Sequence, residues 1–259
     1  MAISDTARRV HDELFPDHVS TLAVTDPELI EYFDNFAFDE ILAAAPLDRR
    51  LRLITQLGAL IATGALGEYR AMAGAALNVG VSPVEIKEVV YQAVAYVGMG
   101  RVFDFLHVTN EVLTSRGVKL PLAGQSTTTP ETRFDRGLAV QSEIIGADRV
   151  ERLYATAPPD QMHIQRLLSA NCFGDHYTRT GLDIPTRELL TLAMLVALGG
   201  CEPQVAGHVA ANLNVGNDRP LLIAVVTQLL PFIGYPRTLN ALRVIDEHAP
   251  ATTQEGTPS

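Results

Sequence analysis

The chain repeats itself. The segment from Ala75 to Glu111 recurs 136 residues later, from Ala211 to Glu247, with the same residue at thirteen positions. Among these pairs are Asn78/Asn214, Gly80/Gly216, Gln92/Gln228, Gly98/Gly234 and Arg101/Arg237. Upstream the register is 135, pairing Phe38/Phe173, Leu47/Leu182, Asp48/Asp183, Arg52/Arg187 and Leu57/Leu192. The one-residue change fits an extra residue near Gly199-Gly200. Such self-similarity restricts the chain to two copies of one structural unit. Between them, Gly117 to Thr132 holds two prolines and a Ser-Thr-Thr-Thr run, which reads as a linker. The expected organisation is a first unit over 5–116, a linker over 117–132, a second unit over 133–249 and a flexible tail over 250–259.

Each copy reads as helices. Leu51 to Ile61 is apolar at helical rather than alternating spacing. A helix over about Glu68 to Asn78 ends at Gly80, where a left-handed residue stops it. Ser82-Pro83-Val84-Glu85 is a capping box with proline in the first turn, opening a helix that stops at Gly98. A last helix covers Arg101 to Ser115. The second copy repeats the scheme, with Asp183 and Asp218 as caps and a sharp turn at Gly234 between Pro231 and Pro236. The fold class is all-α.

With 47% hydrophobic residues the chain can bury a core without covalent staples. Its net charge of -10, with scattered Lys and Arg, argues against nucleic acid or a membrane surface as partner. Two cysteines do not make a disulfide scaffold, and the N-terminus lacks the apolar core of a signal peptide. The longest strongly apolar run, Leu189 to Leu198, is about half a bilayer span. A cytoplasmic protein acting on a small molecule is expected.

Several segments resemble the carboxymuconolactone decarboxylase family. They are Ala75-Ala-Leu-Asn-Val-Gly80, Ser82-Pro-Val-Glu-Ile-Lys-Glu-Val-Val90 and Ala95-Tyr-Val-Gly98 in copy one. In copy two they are Gly181-Leu-Asp-Ile-Pro-Thr-Arg-Glu-Leu189, His208 ahead of Asn214-Val-Gly216, and Gly234-Tyr-Pro236. Phe134-Asp-Arg-Gly-Leu138 with Glu143-Ile-Ile-Gly146 is similar to the start of a decarboxylase-type member. The resemblance implies helical units packed as a pair, so that this chain forms a pseudo-dimer and associates further into a homo-oligomer. It also implies a small-molecule substrate and no cofactor.

The family's peroxidase branch carries a glutamate, then Cys-x-x-Cys, then a histidine four residues on. The matching positions here are Glu188, Cys201, Gln204 and His208. Gln204 replaces the resolving thiol that a disulfide-forming peroxidase needs. Cys172 substitutes for it only if the fold brings it close to Cys201. In copy one the equivalents are Leu53, Ala65, Glu68 and Met72. Leucine and methionine move no protons, so one catalytic centre per chain is expected, with Glu68 a candidate to reach into a shared site.

His208 is the candidate general acid or base, with Glu188 orienting it and Gln204 one helical turn away. The bland alternatives are an interface histidine and a carboxylate favoured by a helix N-terminus. Cys201 is either a reactive thiol or a small filler. Arg187 and Arg237 are candidate partners for a substrate carboxylate, although the recurrence of Arg187 as Arg52 favours a structural ion pair. His107 and His176 read as solvated or satisfied in the core. No His-Glu-x-x-His spacing is present, so no metal is expected. The leading expectation is a cofactor-free decarboxylase, or related lyase or isomerase, of a small carboxylated lactone or conjugated acid. The alternatives are a thiol peroxidase using Cys201 and a non-catalytic binding or scaffold protein.

Overall fold

The computed structural model describes residues 2–251, and among them every regular element is helical. The expected tail lies, from residue 252, outside the described residues. The first copy opens with α1 (Asp5–Leu14), α2 (Leu22–Thr25) and α3 (Pro27–Asn35), the last passing through a wide π turn at Phe36–Glu40 into α4 (Ile41–Ala44). It continues with α5 (Arg49–Thr63), α6 (Leu66–Asn78), α7 (Pro83–Val97) and α8 (Met99–Ser115). The second opens with α9 (Arg133–Ile145), α10 (Ala147–Thr156) and α11 (Met162–Leu167), which runs into a π-helical stretch, Leu168–Tyr177. Its counterparts of α5 to α8 are α12 (Ile184–Leu198), α13 (Glu202–Asn214), α14 (Arg219–Ile233) and α15 (Tyr235–His248). None of the described helices is long and apolar enough to cross a membrane.

Residues that recur in the sequence do equivalent jobs. Asp48, Ser82, Asp183 and Asp218 each accept a hydrogen bond from a first-turn amide, and Glu85 closes the capping box on the Ser82 amide. Asn78 Nδ2 donates to the Leu14 carbonyl at 2.8 Å, and Asn214 Nδ2 donates to the Ile144 carbonyl at 3.1 Å. Each amide thus ties the central helices of its copy to the end of an earlier one. Gly80 and Gly216 both stop helices at positive φ, +94° and +92°. Pro231 is accommodated inside the last turn of α14, so the turn itself falls at Gly234.

The two copies share one core. Helices α5 and α12 pack against each other at its centre, and buried residues of both copies form one large apolar cluster, beside a smaller one of Ile144, Cys172, Phe173, Tyr177 and Ala211. Gly58 makes the approach close, since a Cβ there would lie 2.4 Å from Leu190 Cδ1. The next helices bridge the copies, α7 packing on both α5 and α12, and α14 on both α12 and α5. Buried polar groups cost free energy unless paired, and the side-chain NH2 of each recurring glutamine finds carbonyl or hydroxyl acceptors across the interface. Gln92 Nε2 donates to Arg187 O at 2.9 Å and Thr191 Oγ1 at 2.8 Å. Gln228 Nε2 donates to Ala45 O at 2.6 Å and Ile41 O at 3.2 Å.

Two further features position the second copy. Helix α9 crosses the π stretch through a glycine pair: a Cβ on Gly137 would lie 2.0 Å from Ser169 O, and one on Gly174 2.1 Å from Arg133 O. The linker forms no regular element over 118–129 but is pinned to copy two. Thr127 and Thr128 donate to the carbonyls of Thr178 and Gly174, and Thr180 holds Gln125 through both its amide and its hydroxyl. The Ser-Thr-Thr-Thr run is a hydroxyl-anchored strap.

Candidate functional site

Glu188 lies in the second turn of α12, wholly buried. A bare carboxylate there would be costly, so its oxygens must be paired. Its Oε2 faces His208 Nδ1 on α13 at 2.8 Å, and its Oε1 accepts from the Tyr177 hydroxyl at 2.6 Å. A carboxylate only accepts, which puts the proton on Nδ1 and leaves Nε2 as the ring's working nitrogen. The imidazole is 18% exposed, enough to meet a small ligand while its anchor stays dry. Asn212 fixes the two helices by donating to Glu188 O at 3.2 Å and to His208 O at 2.7 Å.

Copy one supplies the other wall. The Tyr96 ring stands edge-on to His208, with centroids 5.7 Å apart. Its hydroxyl meets the Tyr177 hydroxyl at 3.0 Å, and the Cys172 thiol lies 3.7 Å from it. Tyr177 also meets Thr191 Oγ1 at 2.8 Å, which in turn receives the Gln92 amide. Gln92 Oε1 accepts from Arg187 Nη1, and Arg187 Nη2 donates to Glu88 Oε2, both at 2.8 Å. A continuous hydrogen-bonded chain therefore runs from Glu88 of copy one to His208 of copy two.

Burial sets the charge states around it. Loss of solvation, reinforced by the negative charge of Glu188, pushes both the Tyr96 and Tyr177 phenols well above the usual range. They remain protonated donors. Burial pushes the Cys172 thiol up to about 12, and it pushes Cys201 up too, with Glu202 adding to the effect. Neither cysteine is poised as a thiolate.

The matching place in copy one is apolar. Leu53, Met72, Leu42 and Phe232 stand where Glu188, His208, Tyr177 and Tyr96 stand in the polar site. Phe33 packs edge-on to both Phe38 and Phe232, with centroids 6.1 Å apart in each pair. Arg52, the counterpart of Arg187, is buried with no partner for its Nε, and Ala224 stands where Arg187 has the Glu88 carboxylate as acceptor.

The other residues singled out from sequence fall in different places. Arg187 is fully enclosed, donating to Leu182 O, Gln92, Glu88 and Arg179 O, so no part of it is offered to a ligand. Gln204 is exposed one turn before His208. Arg237 is exposed beside Cys201 and Gly199, around a cavity of about 20 Å³ that contains neither Glu188 nor His208. Glu68 is exposed on α6, a helix packed against α1, α5 and α8 of its own copy. Cys172 and Cys201 are both free thiols, one held at Tyr96 and the other 3.2 Å from Leu195 O. Tyr96, Tyr177, Thr191 and Gln92 were not foreseen, although Tyr96/Phe232 and Tyr177/Leu42 show the same polar-for-apolar contrast as His208/Met72.

The carboxymuconolactone decarboxylase family model matches the chain twice, over residues 27–111 and 163–247. The chain is 29% identical to the 4-carboxymuconolactone decarboxylase of Acinetobacter baylyi over 117 residues, spanning 45% of this chain and 87% of that protein. It is 26% identical to the nitrosuccinic acid decarboxylase npaB of Metarhizium robertsii over 111 residues, 43% of this chain and 77% of that protein. Two matches of one family model, on two copies of one helical unit, place this chain in the carboxymuconolactone decarboxylase family.

Proposed function

We propose that the chain is a cofactor-independent decarboxylase, or a related lyase or isomerase, of a small carboxylated lactone or conjugated acid, with one active centre at Glu188 and His208. The 2.8 Å contact between the buried carboxylate and the mostly covered imidazole carries this reading. Both relatives are named as decarboxylases. Loss of CO2 leaves an electron pair that a conjugated carbonyl or a nitro group accepts, and one proton is then delivered to carbon. Glu188 stabilises the imidazolium that donates this proton from Nε2, and the proton is replaced from solvent. Gln204 is the candidate donor to the developing oxyanion. Arg237, which lines a separate small cavity, is given no role in this centre. Arg187, enclosed as it is, acts as a positioning residue.

The protonated state favoured for both cysteines weighs against a thiol peroxidase. Equivalent apolar side chains are exposed on α8 and α15, Met99 and Phe103 matching Tyr235 and Leu239, and they support self-association. Release of CO2 from 4-carboxymuconolactone, nitrosuccinate and related activated acids tests the proposal. Turnover abolished by His208→Ala supports it. An inert panel, together with peroxide consumption that depends on Cys201, overturns it.

A further inference from the structure

A second cavity, about 470 Å³ in volume, lies between α7, the strap and Arg179. None of Tyr96, Tyr177, Glu188 or His208 lines it. Its floor is α7, which presents Val84, Lys87, Glu88 and Tyr91 on successive turns. Its roof is the strap at 120–125, held down by the Thr180–Gln125 hydrogen bonds. The volume is that of a small organic ligand rather than a few waters.

The charges of its wall do not balance. Glu88 receives a fork from Arg179, with Nη2 at 2.8 Å and Nε at 3.0 Å, but the same carboxylate also serves the buried Arg187. Two guanidinium groups therefore share one negative charge. Lys87 is only 9% exposed, and its ammonium has a neutral partner, Asn110 Oδ1. Lys87 and Arg179 both lie over the Tyr91 ring, at 5.8 and 5.1 Å from its centroid. A buried ammonium without a counter-charge is expensive, and burial alone holds Lys87 below the usual lysine range. Two positive charges are thus in excess inside a chain whose net charge is -10, which otherwise repels anions.

We infer that this cavity is a binding site for a small organic carboxylate, separate from the Glu188–His208 centre, whose anion lies between Lys87 and Arg179. Tyr91 and the apolar strap residues Leu120 and Leu122 carry the body of the ligand. The inference does not rest on the reaction proposed above, because it concerns binding alone.

Titration calorimetry on the full chain with sodium benzoate, against benzamide as a neutral isostere, tests it. Saturable benzoate binding is expected, with benzamide at least tenfold weaker. Lys87→Met should weaken benzoate at least tenfold, Lys87→Arg should restore it, and thermal melting without ligand shows that both variants are folded. His208→Ala should bind benzoate as the parent does. Absence of saturable binding, benzamide binding equal to benzoate, or full affinity in folded Lys87→Met each overturns the assignment. Loss of benzoate binding in His208→Ala would place the probe in the other site and overturn it as well.

Discussion

Tyr96, from the first repeat, stands edge-on to His208 of the second at 5.7 Å, and its hydroxyl reaches the Tyr177 hydroxyl that holds Glu188. The proposed proton donor is therefore walled by one copy and anchored by the other. Tyr96→Phe keeps the ring and removes only the hydroxyl. It should lower kcat by about tenfold or less, whereas Tyr96→Ala, which also opens the wall, should cost more. Comparing kcat and KM for the two variants in a CO2-release assay checks this.

His208→Gln should lower kcat by about two to four orders of magnitude, the usual worth of a positioned proton donor. Glu188→Gln should act in the same direction, since the imidazolium loses its counter-charge. Melting temperatures measured beside the kinetics separate this from unfolding. A Glu188→Gln variant that is fully active and fully folded would remove the carboxylate from the mechanism.

The recurring glutamines allow a paired test. Gln92→Leu and Gln228→Leu each leave buried groups without their cross-repeat partner, and each should cost about 1–3 kcal/mol of stability. Only Gln92 joins the chain that leads to Glu188. Denaturant titration should therefore show similar losses, while turnover by the folded fraction falls for Gln92→Leu alone.

Cys172 gives the protein an alkaline weakness. Its thiol is raised to about 12 by burial, while the unfolded chain titrates at the ordinary value near 9. Between these values the unfolded state binds fewer protons than the folded one. Stability is then fully present below about pH 9 and falls as pH rises toward 12, by at most about 1.4 kcal/mol per pH unit from this group. Tyr96 and Tyr177 add slope in the same direction. Cys172→Ala should flatten the decline of urea stability with pH. At neutral pH a thiol reagent should modify Cys201 before Cys172.

Gly137→Ala should be among the most damaging single substitutions in the second repeat. The new methyl would meet the Ser169 carbonyl at 2.0 Å, and backbone cannot move aside as a side-chain tip can. A loss of several kcal/mol, beyond the usual 1–3 kcal/mol of overpacking, is expected in denaturant titration. Gly58→Ala meets a flexible leucine methyl instead and should cost less.

Much of this fold is legible in the sequence. The duplication, the caps at Asp48, Ser82, Asp183 and Asp218, and the stops at Gly80 and Gly216 depend on local chemistry, which sequence spacing displays directly. The pairing of Glu188 with His208 could be anticipated from the resemblance to the family's glutamate and histidine positions, and Leu53 and Met72 in copy one confined it to the second repeat. Arg187 was ambiguous for the opposite reason. A recurring arginine signals burial and salt bridging as readily as ligand binding, and only the fold shows its donors occupied. The cross-repeat partners Tyr96 and Gln92 were hidden, because the packing of α7 on α12 of the other copy is a long-range event with no local signature. The strap was misleading in composition: serines and threonines look flexible until their hydroxyls find carbonyls.

A dimer of identical subunits obeys its two-fold axis, so whatever fills one cleft fills the other. Joining the subunits in one gene removes that constraint. The aromatic plug of Phe33, Phe38 and Phe232 fills one cleft with edge-on rings. Its opposite number holds a buried acid, two phenols and a thiol, an asymmetry closed to two identical chains.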